Sequence, residues 1–349
     1  MGLRTEEFDY ELPKELIAQV PEKERSASRL LVLRRQNGSV EHRTFRDIAA
    51  YLREGDLLVL NDTKVLPARL KGKKPTGGHV DLLLVEKIDE HRWSCLVDGA
   101  KKASDKLDVE IGDVQACLER KGQFWNVDFP DASADEVMAR YGTMPLPHYI
   151  KRGENGKGIL DAERYQTVYA EKQGSIAAPT AGLHFTEELL DRISMMGVTV
   201  VKVTLHIGVG TFFLIKKEHV EEHRMHREYF SVQRDIIELL RDARARGGRI
   251  FAVGTSAVRT LETLSGREYN GPVNGAGNGT LQGYTDLFIH PGYRFMAVDG
   301  MITNFHLPRS TPLLLVCAFA GKENIFEAYR QGMALSYRFY SYGDAMLIL

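Results

Sequence analysis

The sequence is poor in cysteine. Cys95, Cys117 and Cys317 are the three in 349 residues, widely spaced and with no CxxC pair. That pattern argues against a disulfide framework and against a thiolate zinc site. Long hydrophobic runs are missing too. The longest notable one, residues 313–320 (LLLVCAFA), falls far short of the ~20 residues a membrane span needs. The first residues, MGLRTEEFDYELP, hold no apolar signal core, so the expectation is a cytoplasmic protein with no membrane partner. Charge of one sign is absent as well. Lys+Arg total 46 and Asp+Glu 47, a formal charge of −1. This excludes a globally basic binder of nucleic acid but leaves room for a local basic patch. No repeat of fixed period and no long low-complexity segment occurs.

What is present fits a folded chain: 43% hydrophobic and 27% charged residues. The length suggests two domains, or one with an insertion, and a core that needs neither disulfide nor metal. Between LNDTKVLP (60–67) and PLPHYI (145–150) lie short apolar runs: HVDLLLV (79–85), WSCLV (93–97), KLDVEI (106–111) and QFWNVDF (123–129). Gly-containing turns punctuate them, which predicts a small β-barrel or sandwich over residues 65–150. The alternative is that these strands extend a main sheet.

After residue 150 helices and strands alternate, which predicts an α/β domain. Thr186 can N-cap a helix that Gly197 ends. A strand is expected over 198–207, a helix over 235–246, a strand over 249–253 and a helix over 255–264. Further strands are expected over 285–289 and 301–305, and a helix that opens at Thr311-Pro312 with proline first. Residues 270–280 (NGPVNGAGNGT) read as a surface loop.

Several clusters can carry chemistry. GSIAAPTAGLHF (174–185) is almost free of charge and contains Thr180, Gly182 and His184. Small residues let a ligand approach the backbone, and the next helix N-terminus offers N–H donors. His184 can act as acid or base, or be a buried, satisfied core histidine. His206 opens HIGVGTF at a strand end, where α/β folds bind ligands, but without a GxGxxG fingerprint. VGTSAVR (253–259) places Thr255, Ser256 and Arg259 at a strand-to-helix turn that can hold a carboxylate or phosphate. An ordinary capped helix reads the same way.

Asp286, Phe288 and His290 are expected on one face of their strand, and Ile302, Asn304 and His306 on one face of theirs. The tail YRFYSYGDAML (337–347) sets aromatic rings beside Arg338 and Asp344. Arg241, Arg244, Arg246 and Arg249 form either an RNA patch or a helix C-terminal complement. His219, His223 and His226 invite a metal reading in which one helix puts the first two on one face, but HExxH is absent.

Taken in order, these segments resemble one family. They are FDYELP (8–13), ASRLLVL (27–33), NDTKVLPARL (61–70), RYQTVYA (164–170), GSIAAPTAGLHFT (174–186) and LHIGVGTF (205–212). They continue with EHRMHREYF (222–230), VGTSAVRTLE (253–262), TDLFIHPGYRF (285–295), TNFHLPRST (303–311), AFAG (318–321) and the tail. The set resembles the S-adenosylmethionine:tRNA ribosyltransferase-isomerases of the queuosine pathway. The resemblance implies an α/β main domain with a mixed sheet (1–64 and 151–349) and an inserted small all-β barrel domain (65–150). It implies transfer and isomerisation of the ribosyl unit of S-adenosylmethionine onto 7-aminomethyl-7-deazaguanine in the tRNA anticodon loop. The product is epoxyqueuosine-tRNA, with adenine and methionine released. No metal and no resident cofactor are implied, because S-adenosylmethionine is consumed, and a monomer is expected.

The chemistry fits the residue types. The sulfonium acidifies the neighbouring C5′–H, adenine must leave, and the attacking amine must be neutral. The family mechanism also allows that amine to be the base. Under the resemblance, His184 and His206 are the acid/base candidates. Asp286 and Asp344 orient them or bind the aminomethyl cation. Thr255, Ser256 and Arg259 hold the methionine carboxylate. Asn61, Asp62, Lys64 and Arg69 meet either substrate, and Thr180, Gly182, Asn304 and Arg338 complete the binding set. The chain departs from the family at His290, where tyrosine is common, and at His148, where a further proline is usual. Two competing readings are a metal-dependent hydrolase built on His219, His223 and His226, and a non-catalytic RNA-binding module.

Overall fold

The structure, a computed structural model, describes residues 2–100, 105–152, 158–265 and 279–349. In chain order the strands of the main body begin with β1 (Arg29–Arg34), β2 (Ser39–Thr44), β3 (Leu57–Asn61) and β4 (Thr63–Val65). Six strands follow: β5 (Arg69–Lys73), β6 (His79–Lys87), β7 (Arg92–Asp98), β8 (Lys106–Ile111), β9 (Val114–Lys121) and β10 (Phe124–Asp128). The chain returns through β11 (Lys172–Ser175), β12 (Thr199–Leu205), β13 (Glu228–Gln233), β14 (Ile250–Val253), β15 (Thr280–Thr285), β16 (Gly300–Asn304) and β17 (Ala345–Ile348). The helices are α1 (Ala134–Tyr141), α2 (Gly158–Arg164), α3 (Glu187–Met195), α4 (Arg234–Ala245), α5 (Thr255–Ser265), α6 (Thr311–Ala320) and α7 (Lys322–Ala334).

Nine strands form one mixed sheet in the order β15-β13-β12-β3-β14-β16-β17-β1-β2. Its centre is parallel: β12, β3, β14 and β16 run the same way, with Val201 opposite Val59 and Ala252 opposite Met301. β3 reads LLVLN and β14 reads IFAV, and every residue in both is buried. Such unbroken apolar runs belong to strands covered on both faces. Successive side chains serve opposite layers. Leu57, Val59, Ile250 and Ala252 pack with α5, α6 and α7 on one side. Leu58, Leu60, Phe251 and Val253 pack with Phe185, Leu189 and Ile193 on the other.

β5 to β10 close into a separate barrel. Here the burial alternates, as in β9, where Val114, Ala116 and Leu118 face in and Gln115, Cys117 and Glu119 face out. Leu70, Leu82, Cys95, Ile111 and Val127 are fully buried inside it. No helix of the described residues is long and apolar enough to cross a membrane.

Many expected elements occur within a residue or two. Thr186 Oγ1 accepts from Leu189 N at 3.2 Å, the predicted cap of α3. Four expectations need correction. The strand expected over 285–289 ends at Thr285, where its antiparallel partner β13 begins at Glu228 and the ladder runs out. Asp286, Phe288 and His290 therefore lie beyond the strand and share no strand face. The strand over 301–305 ends at Asn304, so His306 also follows it. Pro312 is the second residue of α6, because Ser310 is the cap and Thr311 comes first. His219 and His223 do not share a helix. They flank a single turn, Val220–Glu222, because the local backbone pairs with the N-terminal segment: Val220 N donates to Leu3 O and Thr5 N to Glu218 O, each at 2.9 Å. Of the expected loop over 270–280, residues 270–278 lie outside the described residues, and Thr280 opens β15.

Candidate active site

The parallel strands all end on one side of the sheet, at Asn61, Leu205, Val253 and Asn304. A cleft of about 410 Å3 lies there. That is where open α/β sheets bind ligands. Its walls come from residues 147–149, 177–181, 254–256, 303–307 and 340–341, with Ile207, Thr211 and Leu214. None of the residues that line it is Asp, Glu, Lys or Arg. Anions there are met by uncharged donors, the backbone N–H groups and the hydroxyls of the wall. α5 begins in this wall at Thr255, after Gly254 at φ +86°, and the Thr180–His184 turn begins in it too. The first N–H groups of a helix have no internal acceptor and attract negative charge.

Of the residues singled out from the sequence, Thr180, Thr255, Ser256 and Asn304 line this cleft. His184 does not line it; it lies directly behind Asn304. Asn304 Nδ2 donates to His184 Nε2 at 3.2 Å and faces the carbonyls of Tyr340 and Asp344 at 3.3 and 3.4 Å. An oxygen in that place would face two carbonyls, so the amide orientation is set by its surroundings. His184 Nε2 then accepts, and its Nδ1–H donates to Ser28 Oγ at 2.7 Å. Ser28 in turn donates to Arg25 O at 3.3 Å. This chain requires a neutral imidazole. Burial, with help from the Arg338 and Arg25 charges, pushes the His184 pKa down to about 3. At the other end of the chain, Asn304 Oδ1 is buried with no hydrogen-bond partner. A buried acceptor without a partner costs about 1–3 kcal/mol until a ligand satisfies it.

The remaining candidates serve the scaffold or stand outside the cleft. Asn61 ties strand ends together: Nδ2 donates to Leu205 O and Ser256 Oγ, both at 3.0 Å, and Oδ1 accepts from Leu205 N at 3.0 Å. Asp62 is buried, which raises its pKa, and accepts from Thr204 Oγ1 at 2.7 Å. Gly182 is packed so tightly that a Cβ there would lie 2.0 Å from the Tyr169 hydroxyl. Asp344 is buried and accepts from Arg29 N, Arg29 Nε and Arg338 N. The Arg338 guanidinium pairs with Glu22 at 3.4 Å. Arg259 is buried in an ion pair with Glu228 and donates to Leu287 O at 3.0 Å, so its donors are committed to the fold.

His206 is half-buried beside the cleft, bonded to Thr63 Oγ1 at 2.8 Å and stacked on Tyr229. Burial lowers its pKa. Asp286 and Lys64 are exposed. Arg69 is held by Asp81 on the barrel, in a groove that shares Pro147 and His148 with the cleft.

Among the cleft residues that were not singled out as site residues, His306, Tyr149, Tyr340 and Ser341 carry polar groups that matter here. His306 lines the cleft with Nε2 2.7 Å from Thr303 Oγ1, and desolvation lowers its pKa. Tyr149 and Tyr340 lie 4.8 Å apart between ring centroids, and burial pushes both phenols up to about 12. Ser341 bonds the Tyr149 hydroxyl at 2.6 Å. The signal for His306 was its alternation with Asn304, and for the tyrosines the aromatic tail and PLPHYI. Among the described residues, no group of three or more His, Cys, Asp and Glu side chains is placed to hold a metal ion.

The queuosine biosynthesis protein family profile matches residues 5–348. Curated relatives named S-adenosylmethionine:tRNA ribosyltransferase-isomerase include one from Caldanaerobacter subterraneus, 48% identical over 99% of this chain and 100% of the relative. Another, from Staphylococcus haemolyticus, is 46% identical over the same shares. The crystal structure of S-adenosylmethionine tRNA ribosyltransferase from Thermotoga maritima matches with a TM-score of 0.55 at 39% identity. That match covers 98% of this chain and 100% of the other.

Proposed function

The chain belongs to the queuosine biosynthesis protein family, and from this membership we infer that it is an S-adenosylmethionine:tRNA ribosyltransferase-isomerase. It transfers and isomerises the ribosyl moiety of S-adenosylmethionine onto 7-aminomethyl-7-deazaguanine in tRNA. The products are epoxyqueuosine-tRNA, adenine and methionine. S-adenosylmethionine is a consumed substrate and the enzyme keeps no resident cofactor. The enzyme works as a cytoplasmic monomer.

The observation that carries the mechanistic reading is the uncharged cleft at the carboxyl ends of the parallel strands. In this reading the α5 N-terminus, with Thr255 and Ser256, receives the methionine carboxylate, supported by their position in the cleft wall. The paired rings of Tyr149 and Tyr340 offer π-faces to the sulfonium. Asn304 Oδ1 is an acceptor for an amine or amino group, held in place through His184 and Ser28. Among the described residues no carboxylate lines the cleft, and the lowered pKa of His306 makes it a weak base. The neutral substrate amine then serves as the base that takes the C5′ proton of S-adenosylmethionine, and the protein contributes orientation and a dry, preorganised site.

The test is mass spectrometry of one reaction containing S-adenosylmethionine and tRNA bearing 7-aminomethyl-7-deazaguanine. Adenine release with a nucleoside heavier by the rearranged ribosyl unit supports the reading. With verified substrates and folded protein, the absence of both signals overturns it.

A further inference from the structure

A second depression opens next to the cleft, about 430 Å3 in volume, and the two share Leu214 as a wall. The short connection after β16 separates them: Leu307 and Ser310 face the cleft, and Arg309 faces the groove. The groove differs from the cleft in charge. Arg4, Lys216, Lys217 and Arg309 line it, against Glu6 and Glu218. Both carboxylates pair with Arg4, and Arg309 pairs with Asp9. Lys216 and Lys217 are exposed and have no ion-pair partner among the described residues.

The groove is built in advance of any ligand. Its three segments are tied by backbone bonds, Thr5 N to Glu218 O, Ile215 N to Arg309 O and Arg309 N to Phe8 O, each 2.9 Å. Arg309 adopts φ +51°, a left-handed conformation that is unfavourable for a non-glycine residue. Thr5, 4% exposed, lines the groove with a buried hydroxyl that has no hydrogen-bond partner.

We propose that this groove binds the RNA backbone next to the modified nucleotide, with Lys216, Lys217 and Arg309 on phosphate oxygens and the Thr5 hydroxyl supplying a hydrogen bond. A polynucleotide whose target base enters an uncharged cleft must lead its flanking phosphates past the rim. This is the cationic rim that adjoins the cleft through Leu214 and the 307–310 wall. Backbone contacts of this kind position the substrate without reading its sequence. The proposal rests on the tRNA-modifying function and adds the place where the polynucleotide is held.

The experiment compares wild type with the double variant Lys216→Glu/Lys217→Glu, both positions being exposed and free of structural bonds. An RNA stem-loop carrying the modified base is titrated at several salt concentrations, by direct binding and by adenine release. The expected RNA Kd and KM rise is about tenfold or more at 0.1 M salt. The slope of log affinity against log salt should become shallower by about 1.4, since each of the two lost phosphate contacts removes ~0.7 for a single strand. KM for S-adenosylmethionine and kcat at saturating RNA stay unchanged. Thr5→Val gives a smaller rise, about threefold, the size of one hydrogen bond. RNA affinity within twofold of wild type with an unchanged salt slope overturns the proposal. So does an equal rise in KM for S-adenosylmethionine. A wild type that binds the stem-loop but releases no adenine removes the ribosyltransferase reading, while the binding arm still decides the groove.

Discussion

The barrel and the cleft end of the large sheet treat polar atoms in opposite ways. Among the described residues from 66 to 150, no polar or charged residue is buried. The barrel interior is filled by Leu82, Trp93, Cys95 and Trp125, and the indole Trp93 Nε1 is the one unpartnered buried side-chain polar atom there among the described residues. At the carboxyl ends of β3, β12, β14 and β16, by contrast, Asn61, Thr204, Ser256, Thr303, Asn304 and His184 are all buried. Burying a polar group without a partner is unfavourable, so each of these must be satisfied or held for a ligand. Most are satisfied by one another, and Asn304 Oδ1 is not. The difference separates a part of the chain that is only packed from a part that is packed around chemistry.

The comparison can be broken by substitution. Leu82→Ala should cost about 2–5 kcal/mol of stability, because a fully buried leucine leaves a cavity in the barrel. Denaturant unfolding measures this, and KM for S-adenosylmethionine at low temperature should not move. A changed KM would mean that the barrel core shapes the cleft. The cleft end should instead show itself in pH. His184 stays neutral when folded, with its pKa pushed down to about 3, against 6.5 when unfolded. The unfolded chain therefore takes up the proton first, and stability falls as pH drops from about 6.5 toward 3. The slope from this group is at most about 1.4 kcal/mol per pH unit. Unfolding between pH 6.5 and 5.5 isolates the histidines from the carboxylates, and His184→Gln should flatten the slope. An unaltered slope would show that the folded imidazole is charged. The smallest effect is expected at the barrel surface. Arg140 and Asp113 form an exposed ion pair screened by solvent, so Arg140→Ala should leave the denaturant midpoint almost unchanged in the same unfolding assay.

The contrast between the two regions also explains what the sequence made legible. The barrel strands were readable as short apolar runs between glycine-containing turns, HVDLLLV, WSCLV, KLDVEI and QFWNVDF, whereas β5 and β9 were not singled out. Of the central strands, β12, β14 and β16 were expected over 198–207, 249–253 and 301–305, β3 was not, and the α3 cap was readable as Thr186 ahead of two glutamates. The cleft end was only partly readable. Thr255, Ser256 and Asn304 announce themselves as polar residues at strand ends. His184 looks the same in sequence, yet it sits one layer back, holding an amide instead of facing the cleft. Tyr149 and Tyr340 meet across 191 positions of chain, and no local pattern records that. Asp286 was placed on a strand face because the ladder's end depends on where β13 starts, which is a property of its partner.

The central claim is that an uncharged cleft organised around the Asn304 amide carries the reaction. Its most direct test is single-turnover adenine release by wild type and Asn304→Ala, with S-adenosylmethionine and modified tRNA both saturating. A loss of about 100-fold or more is predicted, in the range seen when one preorganised polar group is removed from a site. RNA affinity should be retained. Release within threefold of wild type, with the variant folded, would contradict the account and move the chemistry away from this cleft.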